Sequence, residues 1–183
     1  MSNERKTIGN VLFTEEQITE RAREIGAQIT KDFAGEEVFI LGTLKGSVMW
    51  MAEIMKAIDL DTTIDFIQAS SYGSSTVSSG VVKIGYEPAE NMYNKNVIIV
   101  EDIIDTGRTL SYLVKKLEER SPKTVKICTM LDKPSRRVSD VKGDYVGYEV
   151  EDLFVIGYGL DYDQKYRNLP YISYLTEEDA GQL

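Results

Sequence analysis

The chain has 183 residues, 42% hydrophobic and 28% charged, which suits one domain with a sizeable core. Lys and Arg total 21 against 30 Asp and Glu, a net charge of −9; with no basic block, this argues against a dedicated nucleic-acid surface but not against a small phosphorylated substrate. Cys128 is the only cysteine, so no internal disulfide is possible, and with no signal-peptide core and no membrane-spanning apolar run the expected location is the cytoplasm, away from membranes.

Thr14-Glu15-Glu16-Gln17 has capping-box spacing and predicts a helix start. Ile18, Ala22, Ile25, Ile29 and Phe33 follow at helical spacing on one face, and Gly35 ends the pattern. Val38-Phe39-Ile40-Leu41 reads as a short buried strand. A turn through Thr43-Leu44-Lys45-Gly46-Ser47 leads into an apolar helix from 48 to about 58. Ile64-Asp65-Phe66-Ile67 is the next strand. Residues 70–80 are mostly Ser, Gly and Thr, a composition expected of a flexible loop, and 81–86 reads as the strand leading out of it.

Val97-Ile98-Ile99-Val100 is a run of β-branched residues and reads as a buried parallel strand. Glu101 and Asp102 follow where that strand is expected to end. A turn through Asp105, Thr106, Gly107, Arg108 and Thr109 precedes a helix from about 109 to 119, which Ser121-Pro122 breaks. Further strands are expected at 124–131, near Tyr145 and at 153–158. Cys128 lies in a strand-like apolar run and reads as inert core. The alternation predicts an α/β fold in one domain over 1–183, a central parallel twisted sheet flanked by helices.

The turn after the 97–100 strand is the most informative stretch. Backbone N–H groups in the first turn of a helix lack internal partners and carry partial positive charge. Thr106, Gly107 and Thr109 leave room for a phosphate there and add hydroxyl donors. Glu101 and Asp102 cannot bind a phosphate directly. They suit ribose hydroxyls, or a cation that accompanies phosphates. The turn is neither a Walker loop nor the G-x-G-x-x-G dinucleotide fingerprint.

The stretch VIIVEDIIDTGRTL resembles the phosphoribosyl-diphosphate-binding signature of the type I phosphoribosyltransferases. Its version with two carboxylates, two Ile and Asp-Thr-Gly is similar to that of the hypoxanthine-guanine branch. Leu44-Lys45-Gly46-Ser47, Ser70-Ser71-Tyr72, Leu131-Asp132-Lys133-Pro134 and Phe154-Val155-Ile156-Gly157-Tyr158-Gly159-Leu160-Asp161-Tyr162 extend the resemblance over about 11–175. The resemblance implies the type I phosphoribosyltransferase fold. It adds a small hood from the N-terminal segment and about 153–183, and a lid loop at about 70–80. It also implies Mg²⁺ as cofactor, phosphoribosyl diphosphate and a 6-oxopurine base as substrates, and a homodimer or homotetramer.

The implied chemistry is displacement of diphosphate from C1′ by a purine, through an oxocarbenium-like transition state. By resemblance, Asp105 to Thr109 hold the 5′-phosphate, and Glu101 and Asp102 the ribose. Lys45, Gly46, Ser71, Tyr72 and Arg167 contact diphosphate, and the Leu44-Lys45 bond is often cis in the family. Glu101, Asp102 and Asp161 order Mg²⁺. Lys133 donates to purine O6, Phe154 stacks on the ring, Val155 reads its lower edge, and Asp161 stands beside them. A cationic donor at O6 favours 6-oxopurines over adenine.

The chain contains no histidine, so a base acting near neutral pH is most readily a carboxylate. Asp105 is the candidate, with purine N7 as the proton donor implied by the resemblance. Asp105 also suits a helix N-cap, a role compatible with the first. The 70–80 loop suits a lid that keeps water from the transition state. Two alternatives stand beside the hypoxanthine-guanine reading. One is a xanthine-preferring transferase; the other is an RNA-binding regulator on the same fold, which the −9 charge disfavours.

Overall fold

The computed structural model describes residues 8–71, 82–176 and 179. Six strands form the main sheet: β2 (Val38–Leu44), β3 (Thr62–Ser71), β4 (Val82–Tyr86), β5 (Asn96–Ile104), β6 (Thr124–Asp132) and β7 (Tyr145–Glu149). Their order is β4-β3-β2-β5-β6-β7, and every pairing is parallel except β3 with β4. The uniformly parallel sheet expected from the strand–helix alternation therefore carries one antiparallel edge. No helix separates β3 from β4, so the chain returns as a hairpin.

Helices cover both faces. α1 (Glu15–Asp32) opens on the Thr14 capping box and buries Ile18, Ala22, Ile25 and Ile29. It packs with α2 (Val48–Ala57) over one face, where Trp50, Ile54, Ile98 and Cys128 share a core. α3 (Arg108–Glu118) buries Leu110, Leu113 and Leu117 on the other face, against Phe39, Leu41, Val97 and Ile99. Residues alternating along β2 and β5 thus feed two cores, as a strand buried on both faces requires. Cys128 is fully buried.

The Val38–Leu41 strand runs on to Leu44. The apolar run at 97–100 is the first part of a longer strand, since β5 continues through Glu101 and Asp102 to Ile104. The two carboxylates are strand residues and do not mark its end. Pairing with β6 holds them there, Glu101 opposite Thr129 and Ile103 opposite Leu131.

A second sheet has the order β1-β9-β8, all antiparallel: β1 (Asn10–Phe13), β9 (Ile172–Leu175) and β8 (Phe154–Ile156). The apolar run at 153–158 belongs to this sheet and ends at Ile156. Ser70 and Ser71 of the Ser-rich segment are the last residues of β3. Tyr72 and the rest of the expected lid, through Gly80, lie outside the described residues. Among the described residues no helix is long and apolar enough to cross a membrane.

Candidate active site

The chain leaves β2 through α2 toward β3 on one side, and leaves β5 through α3 toward β6 on the other. Connections diverging from adjacent parallel strands open a crevice at the strands' C-terminal ends. A cavity of about 390 Å³ lies there. Its walls are the turn after β2, the turn after β5, and residues Asp161 and Arg167 beyond β8.

The turn after β5 forms one wall. Gly107 is the N-cap of α3 at φ +75°, with no side-chain cap, so the N-cap role considered for Asp105 belongs to Gly107. Helix α3 begins one residue earlier than its apolar pattern suggests, at Arg108. Its first turn carries no acidic residue. Thr106, Gly107 and Thr109 line the cavity, whereas the exposed Arg108 does not. Arg137 fastens the turn from beneath. Its Nε donates to the Asp105 carbonyl at 3.2 Å, Nη1 to the Val141 carbonyl at 2.6 Å, and Nη2 pairs with Asp132.

The acidic floor comes from β5. Thr43 Oγ1 donates to Glu101 Oε1 at 2.8 Å, and Asp102 Oδ1 accepts from the Ile103 amide at 2.8 Å. Both side chains keep some access to the cleft, but surrounding protein displaces most of their water. Desolvation, then the neighbouring Asp102 charge, push the Glu101 carboxyl well above the ordinary carboxylate range. Asp102 is raised as well, by desolvation. The two neighbouring carboxyls thus share one poorly hydrated place, and each disfavours full ionisation there.

The turn after β2 supplies Lys45 and Gly46, and the Leu44–Lys45 peptide is cis. Gly46 lies so close to Asp102 that a Cβ there would fall within the carboxylate. The Lys45 ammonium donates to Gln164 Oε1 at 3.3 Å. Arg167 reaches the same oxygen at 3.3 Å, donates to the Gly159 carbonyl at 2.7 Å, and pairs with Asp161 Oδ1 at 2.8 Å. Asp161 Oδ2 accepts from the Gln164 amide at 2.9 Å.

Asp105 lines the cavity. Its Oδ1 is buried without a hydrogen bond, and Arg136 Nε stands 2.7 Å away at ion-pair distance. Lys133, Phe154 and Val155 do not line this cavity. Lys133 is only 6% exposed, and its ammonium donates to the Leu153 carbonyl at 2.6 Å. Phe154 is 52% exposed and meets Tyr162 edge to face at 5.6 Å, one residue from Asp161. It is therefore not a core residue. Val155 is buried in β8. The structure thus gathers Lys45, Gly46, Glu101, Asp102, Asp105, Thr106, Gly107, Thr109, Asp161 and Arg167 around one space. Arg108, Lys133, Phe154 and Val155 stand outside it. Tyr72 and the Ser71 side chain lie outside the described residues.

Glu101, Asp102 and Asp161 all face the cavity, yet among the described residues no three acidic groups come close enough to form a metal cluster. Glu101 and Asp102 suit a hard divalent cation in donor type, and such an ion would relieve their shared burial of charge. Asp161 is engaged by Arg167 and Gln164. Thr43, Arg136, Arg137 and Gln164 are contacts that motif reading missed. Only the basic pair Arg136-Arg137 after Lys133-Pro134 offered a sequence signal.

Residues 12–163 match the family model described as a phosphoribosyl transferase domain. The chain is 50% identical over 173 residues to the hypoxanthine-guanine phosphoribosyltransferase of Streptococcus thermophilus, covering 94% of this chain and 96% of that one. It is 49% identical over 168 residues to the enzyme of the same name from Bacillus subtilis, covering 92% and 93%. Among solved structures, a hypoxanthine-guanine phosphoribosyltransferase from Bacillus anthracis superposes with a TM-score of 0.89 at 46% identity, over 93% of this chain and 100% of that one.

Proposed function

The chain belongs to the phosphoribosyl transferase family, and on that footing we propose that it transfers the 5-phosphoribosyl group of phosphoribosyl diphosphate to hypoxanthine or guanine. The products are IMP or GMP and diphosphate, a purine-salvage reaction. The observation that carries this reading is one cleft where the N-terminus of α3, the β5 carboxylates Glu101 and Asp102, and the cations Lys45 and Arg167 converge.

The sugar's 5′-phosphate fits the start of α3, where Thr106, Gly107 and Thr109 offer amides and hydroxyls and the first helical turn carries no acidic residue. Glu101 and Asp102 then face the ribose hydroxyls from β5. Lys45 and Arg167 lie across the cavity and neutralise the diphosphate. The Gln164 oxygen between them occupies the position of a bridging acceptor. Mg²⁺, held by Glu101 and Asp102 and by Asp161 once it leaves Arg167, would supply further neutralisation of the leaving group when bound.

As the bond from C1′ to the diphosphate oxygen breaks, purine N9 forms its bond to C1′. The proton the purine gives up, at N7, passes to Asp105. Lys133 leaves the Leu153 carbonyl to donate to O6, and Phe154 stacks on the ring, its exposed face available for that contact. Ser71 and Tyr72 are proposed to close over the diphosphate. Positioning and charge stabilisation supply most of the acceleration.

A spectrophotometric assay with phosphoribosyl diphosphate, Mg²⁺ and each free base tests this. Hypoxanthine and guanine are expected to turn over and adenine to remain unreacted. Preferential turnover of xanthine, or no turnover of any base, would overturn the assignment.

A further inference from the structure

We infer that Arg136 is a positioning residue for Asp105, and that Asp152 holds Arg136 in its turn. The inference rests on the reading of Asp105 as the proton acceptor and extends it to residues outside the cleft.

Four side chains of alternating charge connect the cleft to the residues proposed for the purine edge. Asp105 Oδ1 lies 2.7 Å from Arg136 Nε. Arg136 Nη1 donates to Asp152, 3.1 Å from Oδ1 and 3.3 Å from Oδ2. Asp152 Oδ1 is 3.6 Å from the Lys133 ammonium. The series ends on the Leu153 carbonyl, immediately before Phe154.

A carboxylate that accepts a proton must present one chosen oxygen, and a misdirected group loses rate steeply. Among the described residues no hydrogen bond reaches Asp105 Oδ1, which is buried. The guanidinium beside it fixes that oxygen by charge, which leaves Oδ2 for the substrate proton. Arg136 can hold this place because its own turn is stitched to β5. The Lys133 amide donates to the Ile104 carbonyl at 2.9 Å, one residue before Asp105. Asp152 supplies the counter-pull that keeps the planar fork in one orientation. Both members of the Asp105–Arg136 pair are close to half exposed, so the pair adds little to stability and its effect belongs to turnover.

The test is a double-mutant cycle. Arg136→Gln is expected to lower kcat about tenfold, with the KM for phosphoribosyl diphosphate within about twofold of the parent. Arg136→Lys, which keeps the charge but loses the fork, is expected to recover part of the loss. In an Asp105→Asn background the same Arg136→Gln change is expected to alter kcat less than about twofold, because no carboxylate remains to be aimed. Melting temperature and Trp50 fluorescence report whether each variant folds. An unchanged kcat in Arg136→Gln would overturn the inference. So would a full tenfold loss persisting in the Asp105→Asn background, and either result leaves Asp105 as the base. Wild-type turnover in Asp105→Asn alone would remove the base assignment and the inference together.

Discussion

Gly46 is where three segments meet. Its α-carbon faces the Asp102 carboxylate, and its carbonyl faces Gly159, which sits at φ +101° and where a Cβ would strike that carbonyl. A methyl group at Gly159 has to displace the Gly46 backbone, and one at Gly46 has to displace the Asp102 carboxylate, which the Ile103 amide holds. Gly46→Ala is therefore expected to push the turn after β2 away from β5, shifting Lys45 by a large fraction of an ångström. Displacements of that order cost about 100-fold in rate. Steady-state kcat/KM should fall by that factor, and near-native activity in the variant would contradict the packing argument. Sequence reading reached Gly46 through its resemblance to a known loop. The reason for glycine lies in Gly159 and Asp102, which no local pattern connects to it.

At the scale of elements, the start of α3 depends on one glycine. Gly107 stands at φ +75°, and a Cβ there would lie 2.5 Å from Ser139 Oγ, 2.6 Å from Val141 Cγ1 and 2.9 Å from Arg137 Cδ. Backbone conformation and crowding thus require glycine independently. Gly107→Ala should raise the KM for phosphoribosyl diphosphate about tenfold or more. It should also cost about 1 kcal/mol or more of stability, read as a lower urea midpoint. A variant with unchanged KM would show that the first turn of α3 does not hold the phosphate. The helices were legible from apolar spacing and caps, and the buried strands from β-branched runs. The end of β5 was not, because two carboxylates look like an exit to solvent when their parallel partners on β6 are unseen. Periodicity also says nothing about which sheet a short apolar run joins. Phe154 and Val155 therefore had no place until β8 paired with β9. Arg136 and Arg137 gave only a weak signal, for their partners lie just after β5, on β6 and near β8.

Over the whole molecule, the main sheet carries a core on each face, and Cys128 lies fully buried in one of them. Burial pushes its thiol up to about 12 from 9.0, so the folded chain holds that proton more tightly than the unfolded chain does. Any stability linked to this group is intact below pH 9.0 and lost as pH rises toward 12. Burial also raises Tyr145 and Tyr158, which add to the loss in the same sense at the alkaline end. Urea midpoints should fall across this range, and Cys128→Ser should soften the first part of the fall. At neutral pH a thiol reagent is expected to modify Cys128 only as fast as the domain opens. Rapid labelling of the native protein would contradict its place in the core. The pairing of β1 with β9 bears on how such a chain comes off the ribosome. The six-stranded sheet has all its strands once residue 149 is made, but the edge of β1 waits for residue 175. The order of synthesis therefore supplies every strand of the main sheet before the last strand of the second, so closure of the second sheet can only come last.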